Sequence, residues 1–365
     1  MGFNCGIVGL PNVGKSTLFN ALTNTAAAAA ANYPFCTIEP NVGRLPVPDP
    51  RLDVLAKLGK SAKVIPTQLE IKDIAGLVRG ASKGEGLGNK FLGAIREVDA
   101  VLHVLRCFED DDVTHVEGGV DPLRDAELIE TELLLADIES LERQKESLIK
   151  RVRGQDKEAK ARLELLERVL GPMQDGTPAR RLALSADERG LLKGFNLLTD
   201  KPLLYVLNVE EASAATGNAL SAKAAAMAEV QGARSVVVAA AIEAELSGLE
   251  GEERAEYLAS LGLDEPGLNR VIREGYGLLG LLTFFTVGPK EARAWTTHQG
   301  ATAPEAAGEI HTDFQKGFIA AETVAYADYV ACGGEQGAKE AGKLRLEGRD
   351  YVVKDGDVFH FRFNV

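Results

Sequence analysis

The stretch that most restricts how this chain can fold is Gly9-Leu-Pro-Asn-Val-Gly14-Lys15-Ser16. It satisfies GxxxxGK[ST] and follows a short apolar run, Cys5-Gly-Ile-Val8, of buried-strand type. Thr17-Leu-Phe-Asn-Ala-Leu-Thr23 then carries apolar residues at helical spacing, so strand, glycine loop and helix come in the order a phosphate-binding loop requires. Glycines let backbone N–H groups wrap closely around phosphate oxygens, and the helix that follows adds its N-terminal partial positive charge. In this arrangement Lys15 reaches the β- and γ-phosphates and Ser16 places its hydroxyl on Mg²⁺. The expected ligand is a nucleoside triphosphate.

Further residues fit the same chemistry. Thr37 lies about twenty residues beyond Ser16, where triphosphate switches place a second Mg²⁺ hydroxyl. The strand Leu69-Glu-Ile-Lys-Asp73 ends in an aspartate suited to hold Mg²⁺ through water, and the DxxG spacing puts the Gly76 N–H at the γ-phosphate. From 77 to 89 the chain is glycine-rich and carries Arg79, Lys83 and Glu85, which reads as a flexible switch segment. Water-positioning switches carry a glutamine directly after DxxG. This chain has Leu77, whose side chain can neither donate nor accept, so the water must be placed by another group. His115 is one candidate, set against a surface or capping histidine.

The apolar runs 101–106, 202–208 and 235–240 alternate with helical stretches and predict a doubly wound, mostly parallel α/β sheet. Ligands of such sheets bind at the carboxyl ends of the strands. There the guanine-reading NKxD loop is replaced by Asn208-Val209-Glu210-Glu211. The lysine is missing and a longer glutamate stands where an aspartate would read the guanine 2-amino group. Adenine has no such group and loses nothing, while Asn208 could meet its 6-amino group. The loop therefore favours ATP over GTP.

An insertion separates these strands. Asp121-Pro122 opens a helix whose seam runs Leu134, Ile138, Leu141, Lys145, Leu148 and Val152; Gly154-Gln-Asp156 breaks it, and Ala159, Leu163, Leu166 and Leu170 resume it as far as Gly171-Pro172. This spacing predicts an antiparallel coiled-coil hairpin. Basic residues dominate its tip, which reads either as an RNA contact or as a solvated helix surface. Six alanines, 26–31, read as a mobile loop, though alanine's helix propensity also permits an extra turn of helix; 212–228 reads as an alanine-rich helix and Ser185-Ala-Asp-Glu188 as a capping box. Past residue 282 strands, one helix and further strands (343–347, 351–353, 358–363) make a small α+β module, with Trp295, Phe314 and Phe318 as core.

Forty-one Lys and Arg against 54 Asp and Glu give a net charge of −13, which excludes a general nucleic-acid coat and makes DNA an unexpected partner while leaving room for local RNA contact. Four scattered cysteines without a CxxC pair suggest a reducing compartment with neither a disulfide framework nor a zinc site. The uncharged stretch 275–289 is too short and too glycine-broken to span a bilayer, and the N-terminus shows no signal-peptide pattern. A cytoplasmic protein without a membrane partner is expected.

Taken together, Gly9–Thr17, Tyr33-Pro-Phe-Cys-Thr-Ile-Glu-Pro-Asn41, the run from Asp73 to Gly88, Arg106-Cys-Phe-Glu109 and the Asn208–Glu211 loop resemble the YchF branch of the Obg-related P-loop proteins, the Obg-like ATPases. The resemblance implies a nucleotide domain at 3–258 with its hairpin inserted at about 122–198, a connecting helix at 259–281 and a β-grasp TGS domain at 282–365. It implies a slow, Mg²⁺-dependent ATPase that prefers ATP to GTP and associates with ribosomes, the large subunit in particular, and with RNA. Asn12, Val13, Gly14, Lys15, Ser16 and Thr17 would bind the phosphates. Ser16 and Thr37 would ligate Mg²⁺, Asn208, Val209 and Glu211 would contact adenine, and His115 would assist hydrolysis alongside Lys15 and Gly76. Asn12 matches an asparagine that helps hold K⁺ in related proteins, which leaves K⁺ open as a second ion. Two rivals stand beside this reading: an Obg-type GTPase, and a ribosome- or RNA-binding adaptor with nucleotide as a structural ligand.

Overall fold

The computed structural model describes residues 3–30, 41–74, 87–110, 119–249 and 251–364. Strand β1 (Asn4–Val8) is buried from Cys5 onward and leads through the glycine loop into α1 (Lys15–Ala30). The alanine run expected to be a mobile loop instead extends this helix to Ala30, in line with alanine's helix propensity, the highest of any residue. After it come β2 (Val42–Pro46), α2 (Pro50–Gly59), β3 (Val64–Ile65), β4 (Gln68–Asp73), α3 (Leu87–Arg96) and β5 (Ala100–Arg106). Helix α3 takes the last residues of the segment read as a switch; positions 75–86 lie outside the described residues.

The insertion is a hairpin of α4 (Pro122–Arg153) and α5 (Lys157–Gln174), followed by α6 (Ala186–Lys193). Asp121 caps α4 by accepting from the Leu123 and Arg124 amides at 3.1 and 3.3 Å. Leu141, Leu148, Ala159, Leu166 and Leu170 form the buried seam the spacing predicts. Helix α5 does not stop at Pro172. The proline removes a single bond, and the next residue, Met173, is fully buried in the seam and holds the last turn in place. At the hairpin base Asp137 is fully buried. Its Oδ1 accepts from the Leu198 amide at 2.8 Å, and its Oδ2 accepts from the amide and hydroxyl of Thr199 at 2.8 and 2.7 Å.

The chain then returns through β6 (Leu203–Asn208), α7 (Ala219–Val230), β7 (Arg234–Val238), α8 (Ala240–Leu246), α9 (Gly251–Ser260) and α10 (Gly267–Leu278). Helix α7 starts later than the alanine content suggests, because Asn218 and Ser221 close a capping box at its N-terminus. The sheet order is β2-β4-β1-β5-β6-β7, parallel apart from β2 on the edge. Register sets Ile7 beside Asp73, Val8 beside His103, and Asn208 between Arg106 and Val238. The carboxyl ends of five strands thus share one edge of the sheet with the glycine loop.

His103 lies at the centre of β5, 1% exposed, and neither ring nitrogen has a hydrogen-bond partner among the described residues. Burial first, then the charges of Arg180 and Lys15, bring its pKa down to about 3 from 6.5. Between those values the unfolded chain binds a proton that the folded chain refuses, so stability is lost as pH falls below 6.5. The group contributes a slope approaching 1.4 kcal/mol per pH unit, about one bound proton. His103→Leu is expected to remove that share of the slope in urea unfolding on the two sides of pH 6.5; an unchanged slope contradicts it.

The second unit is built on β8 (Leu281–Val287), β9 (Ala292–His298), α11 (Ala303–Ile310), α12 (Thr312–Lys316), β10 (Phe318–Ala325), α13 (Tyr326–Ala331), α14 (Glu335–Glu340), β11 (Arg345–Glu347) and β12 (Asp357–Phe363). Its sheet runs β11-β10-β12-β8-β9-β3. Strand β10 is absent from the sequence reading because its alanines give weak strand propensity; pairing on both sides, with β12 and β11, overrides that. The strand expected at 351–353 is reduced to one bridge between Val352 and Thr302. The division of the chain also differs from expectation. Strand β3 completes this second sheet, and α2 buries Leu52, Leu55 and Ala56 against Phe285, Ala292 and Val358, so residues 50–65 belong to the C-terminal core rather than to the nucleotide unit.

Candidate nucleotide site

The site is assembled where β1 turns into α1. Asn12 and Gly14 have φ of 61° and 96°, in the left-handed region that bends the loop over the helix N-terminus. No side chain fits at Gly14: a Cβ there would lie 2.3 Å from Asn208 Nδ2. At Gly9 it would lie 2.6 Å from the Val104 carbonyl oxygen. Because α1 begins at Lys15, its first amides have no partner within the helix and are open to an anion. Ser16 and Thr17 are exposed on that first turn, whereas Val13 is buried.

Lys15 is 8% exposed and donates from Nζ to the Leu10 carbonyl at 2.7 Å, which folds its ammonium back over the loop. Burial lowers its pKa, opposed by the charge of Asp73. Burial likewise raises the Asp73 carboxyl, opposed by Lys15. The two shifts agree: burial outweighs the mutual attraction for both groups. Asp73 is fixed by its amide, which donates to Asn41 O at 2.9 Å.

Asn208 is 4% exposed and holds two partners within the protein. Its Nδ2 donates to the Val13 carbonyl at 3.0 Å and its Oδ1 accepts from the Ala240 amide at 2.9 Å. Asn208 thereby fastens the phosphate loop to the start of α8, and its Oδ1, a two-lone-pair acceptor with one donor here, keeps capacity for a further N–H such as an adenine 6-amino group. The Val209 amide donates to Val238 O at 2.9 Å. The Glu210 carboxylate accepts from Ser213 and, at 2.7 Å, from Asn218 Nδ2, so it is committed to the loop; Glu211 is exposed. Asn218, which also donates to Cys107 O at 2.6 Å, ties the base loop to the end of β5. Sequence reading passed it over, although its capping-box pattern was visible. Arg106, buried under the same edge, donates to the Phe108 and Asp110 carbonyls at 3.1 and 3.2 Å. Thr37, Gly76 and His115 lie outside the described residues; among those described, Asn208 ends β6 beside the loop 12–17 with Val209 directly after it, Asp73 faces Lys15, and Glu211 lies exposed beyond the strand.

The donors fit Mg²⁺. An exposed hydroxyl at Ser16 and a half-buried carboxylate at Asp73 are hard oxygen ligands, which suits an ion that keeps waters and phosphate oxygens for the rest of its shell. Among the described residues no group of three or more His, Cys, Asp or Glu could cage a metal by itself.

A family model described as "50S ribosome-binding GTPase" matches residues 4–153, and a C-terminal YchF GTPase model, described as a protein of unknown function, matches 281–364. A protein named ribosome-binding ATPase YchF from Haemophilus ducreyi is 60% identical over 365 residues, covering 100% of both chains. The chain belongs to the YchF family. The YchF protein of Bacillus subtilis, given the same name, is 54% identical over 367 residues, again with 100% of each covered. The solved structure of the Schizosaccharomyces pombe YchF GTPase superposes with a TM-score of 0.89 at 38% identity, covering 99% of this chain and 98% of that one. The YchF fold is thus a P-loop α/β sheet with an inserted helical hairpin and a C-terminal α+β unit.

Proposed function

We propose that the protein is a ribosome-associated P-loop ATPase that binds and slowly hydrolyses ATP as a molecular switch. The observation that carries the nucleotide half is the glycine loop fastened through Asn208 to a base loop with no guanine-reading aspartate. The ribosomal half is supported by the names of its relatives. In this reading the α1 N-terminus and the amides of 12–17 hold the phosphates, and Lys15 swings from Leu10 O to the β- and γ-phosphates. Ser16 and Thr37 would hold Mg²⁺, with Asp73 acting through water, and the Gly76 amide would meet the γ-phosphate. Mg²⁺ supplies charge neutralisation of the phosphates. Val209 and the exposed Glu211 would contact adenine, Asn12 is the residue that would help hold a K⁺ ion, and His115 is the candidate for placing the water that Leu77 cannot. At the hairpin tip Arg143, Lys145, Arg151 and Lys160 are held in ion pairs, leaving exposed Lys150, Arg153 and Lys157 to meet ribosomal RNA of the large subunit. The setting is the cytoplasm. Among the described residues no helix is long and apolar enough to cross a membrane.

Equilibrium competition between ATP and GTP tests the base loop. ATP is expected to bind at least about tenfold tighter, a difference of about 1.4 kcal/mol; tighter GTP binding returns the chain to the GTPase reading that three of the matches carry in their names. Leu77 favours the second reading, an adaptor with structural nucleotide. Single-turnover hydrolysis with and without ribosomes, in the native chain, Ser16→Ala and His115→Ala, separates them: an adaptor shows no hydrolysis that either substitution removes.

A further inference from the structure

Two separate routes run from the nucleotide site to the C-terminal sheet and end on the same side chain. The first starts at Asp73. Strand β4 carries it at one end and follows Thr67 at the other, where Thr67 O accepts from the Val47 amide at 2.9 Å. The chain between β2 and β4 is stitched into the C-terminal unit: Ser61 Oγ donates to Gly288 O at 2.8 Å, the Ala62 amide to Pro289 O at 3.0 Å, and the Ala292 amide to Lys63 O at 2.9 Å. Arg51 bonds Asp355 at 2.6 Å, and Asp355 in turn accepts from the Thr283 amide at 2.9 Å. The second route starts at the base loop. Asn208 holds Ala240 at the head of α8, and Glu243 on that helix accepts from the Gly267 amide at 2.6 Å, capping α10, whose own N-cap, Pro266, has no capping side chain. At the far end of α10 the Tyr276 hydroxyl lies 3.0 Å from Leu282 O and Thr283 Oγ1 and 3.1 Å from Thr296 Oγ1.

Thr296, in β9, is bonded by both Tyr276 and Thr67. Tyr276, Thr283 and Thr296 are all buried, and their hydroxyls meet one another. We propose that this hydroxyl junction, Thr67–Thr296–Tyr276, couples occupancy of the nucleotide site to the conformation of the C-terminal sheet. The proposal rests on the triphosphate reading of the phosphate loop. Its physical content is that β4 and α10 are stiff elements gripped at both ends, so a shift at Asp73 or Ala240 reaches β9 without a flexible linker in between. By linkage, whatever binds the C-terminal unit must alter nucleotide affinity by the same factor.

Hydrogen exchange of the full chain with and without Mg²⁺ and ATP tests this. Nucleotide is expected to slow exchange of the phosphate-loop amides and also that of β8 and β9, the latter by about fivefold or more. In Thr296→Val and in Tyr276→Phe, both close to isosteric, the phosphate loop is expected to keep its protection while β8 and β9 lose most of theirs. Protection confined to the nucleotide unit overturns the coupling, as does protection of β8 and β9 that survives both substitutions. Absence of protection at the phosphate loop itself is a different result, and overturns the nucleotide reading with the coupling.

Discussion

Lys15→Met is expected to lower single-turnover ATP hydrolysis by at least about 100-fold, the scale seen when one preorganised charge is removed from a transition state. The methionine keeps the packing of a side chain only 8% exposed and deletes the ammonium. Stability should not fall with activity. Burial already holds the Lys15 pKa below 10.5, so its charge is disfavoured in the folded state and its removal leaves the melting midpoint level or higher. The Leu10 carbonyl, which borders the open loop, loses a partner, and the Asp73 carboxyl loses the charge that opposed its burial, so any gain is small. A variant that hydrolyses ATP within about tenfold of the native rate would remove Lys15 from the mechanism.

The second large effect is structural. Asp137→Ala leaves the Leu198 and Thr199 amides and the Thr199 hydroxyl without their acceptor in a fully buried site. At about 1–3 kcal/mol for each stranded group, less some relaxation, the expected loss is about 3–5 kcal/mol. That is a large share of the stability of an ordinary domain. Burial raises the Asp137 carboxyl while the Thr199 and Leu198 donors oppose it, so the hydrogen bonds rather than the charge are what the variant removes. Asp137→Asn keeps one acceptor and should fall between the two. Urea unfolding followed by circular dichroism reads the loss; a change under about 1 kcal/mol for alanine would show that the hairpin base is held elsewhere.

Much of the architecture follows from short-range pattern. The GxxxxGK[ST] loop, the apolar runs of β5 and β6, and the alternating seam of α4 and α5 are each encoded within a few turns or one strand. They were legible because periodicity and local motif chemistry act over such distances. The misreadings share a cause as well. Low complexity at 26–31 points to a loop more than to helix, and the alanines of β10 give little strand signal. In both, the deciding term was continuation of a helix already nucleated or pairing with distant strands.

The sequence alone determined that a triphosphate cradle is present, that its base loop lacks the guanine-reading acid, and that a hairpin interrupts the sheet. Only the tertiary structure decided that Asn208 serves the phosphate loop, that residues 50–65 complete the C-terminal core, and that Thr67, Tyr276 and Thr296 meet. Thr67 and Thr296 stand 229 positions apart, and Asn208 and Val13 stand 195 apart. A contact at that separation leaves no periodic trace in either segment, because it is fixed by how whole sheets and helices pack and not by what lies beside each residue in the chain.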